Sequence, residues 1–376
     1  MVLTLFFTRG VSLEIWINQG LFDREKLIYE GHLRERNLHK VYWITYGIND
    51  KELSEKLKRE NKLNKNIEVL QMPKLLNIPK LGCYIYSFLL PFIYKDILKK
   101  SDILKTNQMD GSWSAILAKW IYKKKLIVRT GYTLSIFTKR QKVLKYKQIF
   151  IELVEKLAYR YADKSIVASC KDKRYLINKY KLEENQVSVI HNYIDTTLFR
   201  PLNFKRYESK IVFVGRLNEQ KNLFNLIEAI SKTRLTLDIY GQGELKEELI
   251  YFTQKLNANV NFMGVVTNNE LPYILNKYKY YIITSHYEGM PKTLLEAMSC
   301  GCICIGTNVD GINEIIYDNI NGYLIEDISV SSIFDVLKDL SDKNPIILDN
   351  GIKTIHENFS IKSIIIKENN IFNSYV

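Results

Sequence analysis

Glu288-Gly289-Met290-Pro291-Lys292-Thr293-Leu294-Leu295-Glu296-Ala297-Met298-Ser299-Cys300-Gly301 leads from a turn into a short apolar helix. Proline suits the first position of a helix, because its missing N–H would be unsatisfied there anyway. Glycine is a common stop residue. The helix is therefore predicted to open near Pro291 and to close before Gly301. Its N-terminus offers unpaired amides and the positive end of a dipole, and both favour a phosphate. Glu288, at the mouth, can accept hydrogen bonds from hydroxyls, and Glu296, two helical turns on, can hold a second polyol. A diphosphate flanked by two polyols describes a nucleotide sugar. The competing reading is a solvated helix in which Lys292 pairs with Glu296 at i,i+4. The apolar neighbours Leu295 and Ala297 weigh against it.

Outward from this stretch, strands alternate with helices. The first half reads as strands at Val2–Phe7, Val41–Tyr46, Ile67–Gln71, Ile103–Thr106, Leu126–Thr130, Ser165–Ala168 and Val187–Ile190. The second half reads as strands at Ile211–Val214, Leu235–Tyr240, Asn259–Met263, Tyr280–Ile283 and Cys302–Gly306. Helical patterns intervene, among them one from about Ser12 through Tyr29, Lys51–Glu60, Leu223–Ser231, a helix opening at Glu244, and Glu270–Lys277. This alternation implies parallel sheets with crossover helices. The predicted class is α/β, with two doubly wound, Rossmann-like domains facing across a cleft. Turn chemistry between His191 and Lys205 marks the boundary, giving domains over 1–195 and 196–359. The final helix, about 360–376, is assigned back to the first domain.

Two further turns follow predicted strands of the second half. Gly215-Arg216-Leu217-Asn218-Glu219-Gln220-Lys221 places Arg216 and Lys221 five residues apart, where a planar fork and a point charge could converge on one anion. A helix-start salt bridge is the plainer alternative. Tyr240-Gly241-Gln242-Gly243-Glu244 is either a simple turn or a place where backbone must approach a ligand.

Composition narrows the class. The chain has 376 residues, 46% of them hydrophobic, as expected of a globular protein with large cores. No secretory leader is evident, and the apolar run Cys83–Tyr94 is shorter than the roughly 20 residues that span a bilayer. Five cysteines in uneven positions argue for a reducing, cytoplasmic setting. Cys300-x-Cys302-x-Cys304 lacks a zinc spacing and reads as core, and the five histidines show no ligand pattern. His286, near Glu288, reads as lining the site, with a catalytic base as the alternative. No metal is expected. Net charge is +13 and uneven: residues 1–200 hold 37 Lys and Arg against 20 acids, whereas residues 201–376 hold 17 against 21. Nucleic acid is not expected as a partner, because no recognition module accompanies the charge. The aromatic run Tyr84–Tyr94, followed by 14 basic residues and 3 acids over Lys95–Lys147, suits an anionic membrane surface through residues 84–147. The alternative is a buried helix followed by a solvated basic face.

The set Gly215-Arg216…Lys221, Tyr240-Gly241-Gln242-Gly243, Phe262-Met263-Gly264, Ser285…Glu288-Gly289…Glu296-Ala297-Met298…Gly301 and Glu314…Asn321-Gly322 resembles the donor domain of family-4 retaining glycosyltransferases of the GT-B fold. Asn192-Tyr193-Ile194-Asp195…Phe199-Arg200-Pro201 resembles that family's interdomain segment. The resemblance is strong from about Val189 to Ile325 and weaker before it. It implies that Arg216 and Lys221 bind the donor diphosphate, Glu288 the transferred sugar and Glu296 the ribose. It implies that amides at Gly289, Met290 and Lys292 meet the diphosphate, and that Val265 and Val266 line the nucleobase pocket. Transfer would retain configuration without a metal cofactor, by front-face attack in which a donor phosphate oxygen takes the acceptor proton. The donor would be a UDP- or GDP-linked sugar, and the acceptor a glycan or a lipid-linked saccharide of a bacterial surface polysaccharide. The protein would be cytoplasmic, or peripheral on the inner face of the plasma membrane.

The first half departs from that pattern. The family often has two adjacent glycines after the first strand; here Thr8-Arg9-Gly10-Val11 leaves Gly10 to serve alone. Where the family often places histidine near the acceptor, this chain has Thr106-Asn107-Gln108-Met109-Asp110-Gly111 and Arg129-Thr130-Gly131-Tyr132. Asp110 and Arg129 are the acceptor-side candidates, with Asp110 equally placed to cap a helix beginning near Ser112. Two other functions stay open: a nucleotide-sugar epimerase or glycogen-type synthase of the same fold, and a non-catalytic membrane adaptor with a vestigial pocket.

Overall fold

A computed structural model describes residues 1–131, 135, 145–338, 340 and 346–375. Tyr132 and much of the basic segment before Lys145 lie outside the described residues. The chain forms two compact units, one of Met1–Ile190 with Ile364–Val376, the other of His191–Ser363.

The first unit is built on a seven-stranded sheet: β1 Val2–Phe6, β2 Lys40–Ile44, β3 Ile67–Leu70, β4 Ile103–Thr106, β5 Lys125–Thr130, β6 Lys164–Val167 and β7 Val187–Val189. The second carries six: β8 Tyr207–Val214, β9 Thr236–Tyr240, β10 Val260–Gly264, β11 Tyr278–Ile283, β12 Ile303–Thr307 and β13 Tyr323–Ile325. Every pairing within the two sheets is parallel. Such sheets need apolar side chains on both faces. The strands supply them: Leu3, Leu5, Val41, Trp43, Ile211, Phe213, Tyr281 and Ile305 are all buried.

Strand order marks where sheets of this kind bind ligands. It is β3-β2-β1-β4-β5-β6-β7 in one sheet and β10-β9-β8-β11-β12-β13 in the other. The direction of winding reverses between β1 and β4, and again between β8 and β11. In doubly wound sheets, ligands bind beyond the carboxyl ends of strands at this reversal. The segments leaving those strands are 7–12 and 107–111 in the first unit, and 215–222 and 284–291 in the second.

Several expectations shift in detail. The helical stretch after Ser12 is two helices, Leu13–Asn18 and Phe22–Arg34. The break falls at Gly20, whose φ of 66° ends the first helix. Ser12 caps that helix, its Oγ accepting from the Ile15 amide at 3.0 Å. Strand β13 escaped the reading because three residues carry no period. The final helix, Ile361–Asn373, contributes Glu368 to a buried cluster in the first unit. There Lys105 Nζ lies 2.6 Å from Glu368 Oε1, and His32 Nε2 lies 3.2 Å from Oε2.

Candidate active site

The helix of the opening stretch spans Lys292–Ser299. Pro291 stands one position earlier than expected, as an extended N-cap with ψ 110° rather than as the first helical residue. Cys300 closes the helix and Gly301 follows with φ +79°. The amides of Gly289 and Met290 donate to no group among the described residues. Gly289 is exposed, and a Cβ there would meet nothing within 4 Å. An open helix mouth with unpaired donors is the local chemistry that anions seek.

The segments leaving β8 and β11 are laced together. The Lys221 ammonium lies 2.5 Å from Glu288 Oε1, and the Ser285 hydroxyl donates to the same oxygen at 2.6 Å. The His286 amide donates to the Gln220 carbonyl, and the Gln220 side-chain amide donates to the Tyr287 carbonyl, both at 2.8 Å. Thr284 Oγ1 donates to the Lys221 carbonyl at 3.0 Å. Lys221 ends a 3-10 turn and Asn222 follows in the left-handed region, its side chain anchored on the Ile328 carbonyl. The structure thus joins two residues that the sequence placed at separate turns.

The other expected residues fall as follows. Arg216 is exposed on the turn after β8 and makes no hydrogen bond or ion pair among the described residues. Glu296 is buried within the apolar helix at 7% exposure, which excludes the solvated reading. Lys292 lies with its Nζ 5.8 Å from the centre of the Tyr193 ring. Val265 is exposed beyond the end of β10. Gly241 and Gly243 are required by crowding from this chain's own backbone. A Cβ on Gly241 would sit 1.8 Å from the Gly215 carbonyl oxygen, and one on Gly243 would sit 2.2 Å from that of Leu217. The two turns pack on each other, with the Leu217 amide donating to the Gln242 carbonyl at 3.0 Å.

In the first unit, Gly10 turns the chain with φ +78° and is exposed. Asp110 does not cap the helix starting at Ser112. Gly111 occupies the N-cap with φ 89°, and Asp110 instead takes a bidentate pair from Arg9, at 3.2 Å to Oδ1 and 2.9 Å to Oδ2. The Arg9 guanidinium also lies 4.1 Å from the centre of the Tyr84 ring. Arg129 donates its amide to Thr106 Oγ1 at 3.1 Å. From the sequence alone Arg9 and Ser285 carry no assigned role, although Ser285 stands in the set that resembles the donor domain. The available signal was positional: each stands directly after a strand beside the winding reversal.

The Cys300-x-Cys302-x-Cys304 run is core, as expected, whereas Cys170 is exposed and Cys83 half-buried. Cys300, Cys302 and Cys304 are buried as free thiols. Burial pushes the Cys302 thiol up to about 11, and those of Cys300 and Cys304 upward as well, so all three stay protonated. No group of three His, Cys, Asp or Glu suited to a metal occurs among the described residues.

Comparison with known proteins identifies the class. The solved structure of HepE from Anabaena in complex with UDP superposes with a TM-score of 0.75 at 17% identity, over 100% of both chains. The same protein with UDP and glucose gives 0.72 at 17% identity, also over 100% of both chains. The sequence model described as Glycosyl transferases group 1 matches residues 195–352. That of Glycosyltransferase Family 4 matches residues 31–198. The chain is 27% identical over 270 residues to the Escherichia coli UDP-Gal:alpha-D-GlcNAc-diphosphoundecaprenol alpha-1,3-galactosyltransferase, covering 66% of this chain and 69% of that one. It is 29% identical over 206 residues to the Campylobacter jejuni N-acetylgalactosamine-N,N'-diacetylbacillosaminyl-diphospho-undecaprenol 4-alpha-N-acetylgalactosaminyltransferase, covering 52% and 56%. The protein is therefore an enzyme, a glycosyltransferase of the GT-B fold. The two sequence models together run from residue 31 to residue 352, one on each half of the chain.

Proposed function

We propose that this enzyme transfers a sugar, with retention of configuration, from a nucleotide sugar to a lipid-linked saccharide of a surface polysaccharide. The observation that carries the reading is the contact of Lys221 and Glu288 beside the open N-terminus of Lys292–Ser299. One cation, one carboxylate and unpaired amides meet the needs of a diphosphate and of the sugar it carries. In this reading Lys221, Arg216 and the amides of Gly289, Met290 and Lys292 bind the diphosphate. Glu288 binds the sugar, Glu296 the ribose, and the exposed Val265 the base. On the acceptor side the reading assigns Asp110 together with Arg9, at the end of β1 and β4 beside Gly10.

The chemistry follows from charge. Breaking the sugar–phosphate bond puts negative charge on the departing diphosphate and positive character on the sugar. Fixed cations and a helix N-terminus favour that charged state, and one such contact is worth about 10²–10³ in rate. Charge neutralisation by these groups is what lets the reaction dispense with a metal cofactor. Both relatives form alpha linkages by name, and ordinary UDP-hexoses are alpha-linked to their diphosphate, which supports retention. A UDP donor is supported by the name of the Escherichia coli relative and by the UDP held in the HepE structures, and GDP sugars remain the comparison. The diphosphoundecaprenol acceptors of those relatives support a lipid-linked acceptor.

A lipid-borne substrate agrees with the first unit's surface. Among the described residues, no helix is long and apolar enough to cross a membrane. Helix Gly82–Ile93 instead exposes Phe88 and Phe92, and helix Lys145–Tyr161 exposes Ile149, Leu153 and Leu157 at four-residue spacing. Trp113 connects the two, 6.1 Å from the Phe88 ring and 6.4 Å from that of Phe150. Lys95 and Lys99 lie on the next helix, Lys95–Lys100, and Lys145 and Lys147 open helix Lys145–Tyr161, in the arrangement that favours an anionic cytoplasmic leaflet.

The test is transfer from a panel of UDP- and GDP-sugars to a diphosphoprenyl saccharide. One donor should support turnover, and Glu288→Ala should abolish it while leaving the protein folded. Wild-type turnover by Glu288→Ala would refute the assignment.

A further inference from the structure

Three hydroxyls lie beneath the Lys221–Glu288 pair, and each is fully buried: Thr284, Ser285 and Thr307, all at 0% exposure. Each makes a contact that fixes part of the site. Thr284 Oγ1 holds the Lys221 carbonyl at 3.0 Å, Thr307 Oγ1 holds the Ser285 carbonyl at 2.8 Å, and Ser285 Oγ holds Glu288 Oε1 at 2.6 Å. Thr284 and Ser285 directly follow β11, and Thr307 ends its neighbour β12. Thr307 is fixed within the sheet, where it pairs with Ile325, and Thr284 and Ser285 leave directly from the last paired position of β11, where Ile283 pairs with Gly306.

Glu288 takes both of its side-chain partners on one oxygen. Oε1 receives Lys221 and Ser285, while Oε2 has no partner among the described residues. A donor diphosphate competes for the ammonium of Lys221, because a phosphate carries more negative charge than a single carboxylate. Once Lys221 turns toward the phosphate, Ser285 is the remaining side-chain contact on Oε1. We propose that Ser285 is a positioning residue: its hydroxyl holds Glu288 through the exchange of Lys221 from carboxylate to diphosphate, so that Oε2 faces the hydroxyls of the transferred sugar. This rests on the assignment of Glu288 to the sugar. It adds that the orientation of that carboxylate is built into the end of β11.

The experiment compares Ser285→Ala, Ser285→Cys and Ser285→Thr with wild type and Glu288→Ala. Two quantities are read: affinity for the free nucleoside diphosphate, which has no sugar, and kcat for transfer. A hydrogen bond to a charged group that is lost only in the working state should cost about 10- to 100-fold in turnover. Ser285→Ala should show that fall in kcat with nucleoside diphosphate affinity within about twofold of wild type. Ser285→Thr, which keeps the hydroxyl, should recover most of it. Should Ser285→Ala bind no nucleoside diphosphate, the nearly isosteric Ser285→Cys decides by the same two readings. Wild-type kcat in Ser285→Ala beside an inactive Glu288→Ala would overturn the proposal for Ser285 alone. A parallel loss of kcat and diphosphate affinity would overturn it in favour of a general packing role. Wild-type kcat in Glu288→Ala would remove the sugar assignment and this proposal with it.

Discussion

Lys221 and Glu288 show how a site residue can be legible by type and yet silent about its partner. An unscreened lysine and a glutamate after two strands of one half suggest anion and hydroxyl binding. Their contact depends on β8 lying beside β11, and that adjacency is a property of strand order. Arg9 and Asp110 repeat the lesson in the first unit, where β1 lies beside β4. Asp110 stands out in the sequence as an acceptor-side candidate at a strand end, with a helix cap as the alternative, and the cap position goes to Gly111. The glycines are a subtler case. Gly241-x-Gly243 resembles a ligand-approach motif, yet the atoms that exclude a Cβ there are carbonyls of the neighbouring turn. A sequence records that a side chain is forbidden, but not what forbids it.

At the scale of elements, strands and helices with several apolar residues in period were readable, and Lys292–Ser299 and Leu223–Ser231 fall where expected. The final helix is also expected from the sequence, at about 360–376 and with the first domain, but its anchor is not, because Glu368 meets Lys105 and His32 from distant parts of the chain. All three are essentially buried. The Asn37 amide approaches His32 Nδ1 at 3.4 Å, which leaves an Nε2–H to donate to Glu368. Burial alone would raise the Glu368 carboxyl, but Lys105 and His32 hold it well below the usual carboxylate range. A depressed carboxyl contributes stability above its unfolded value of about 4.5, and that contribution is lost as pH falls toward the folded value. Removing one partner of such a pair strands the other charge, at a cost of about 3–5 kcal/mol. Glu368→Gln should therefore be destabilised by that order at pH 7 in denaturant titration. Its deficit against wild type should narrow as pH falls from about 5 toward about 3. A deficit independent of pH would show that the carboxylate charge contributes nothing.

At the scale of the whole molecule, charge and surface carry the argument. The surplus of basic residues in the first 200 positions was visible in the sequence, whereas the exposure of Phe92 and Ile149 was not. An apolar helix run reads as core until the fold shows which face is left uncovered. The protein should pellet with vesicles containing anionic lipid at low salt, and lose that binding at about 0.5 M salt, where charges beyond a few ångströms are screened. Paired Phe92→Glu and Ile149→Glu substitutions should abolish it, and equal recovery with neutral vesicles would remove the membrane assignment. The central claim concerns the other unit: that Lys221 and the mouth of Lys292–Ser299 grip a nucleotide by its diphosphate. Calorimetric titration with UDP, GDP and the two parent nucleosides tests it most directly, in wild type and in Lys221→Ala. One diphosphate should bind wild type at least about tenfold more tightly than its nucleoside, and Lys221→Ala should erase most of that difference, a loss of about 1.4 kcal/mol or more. Equal affinity for diphosphate and nucleoside in wild type, or an undiminished preference in Lys221→Ala, would contradict the account.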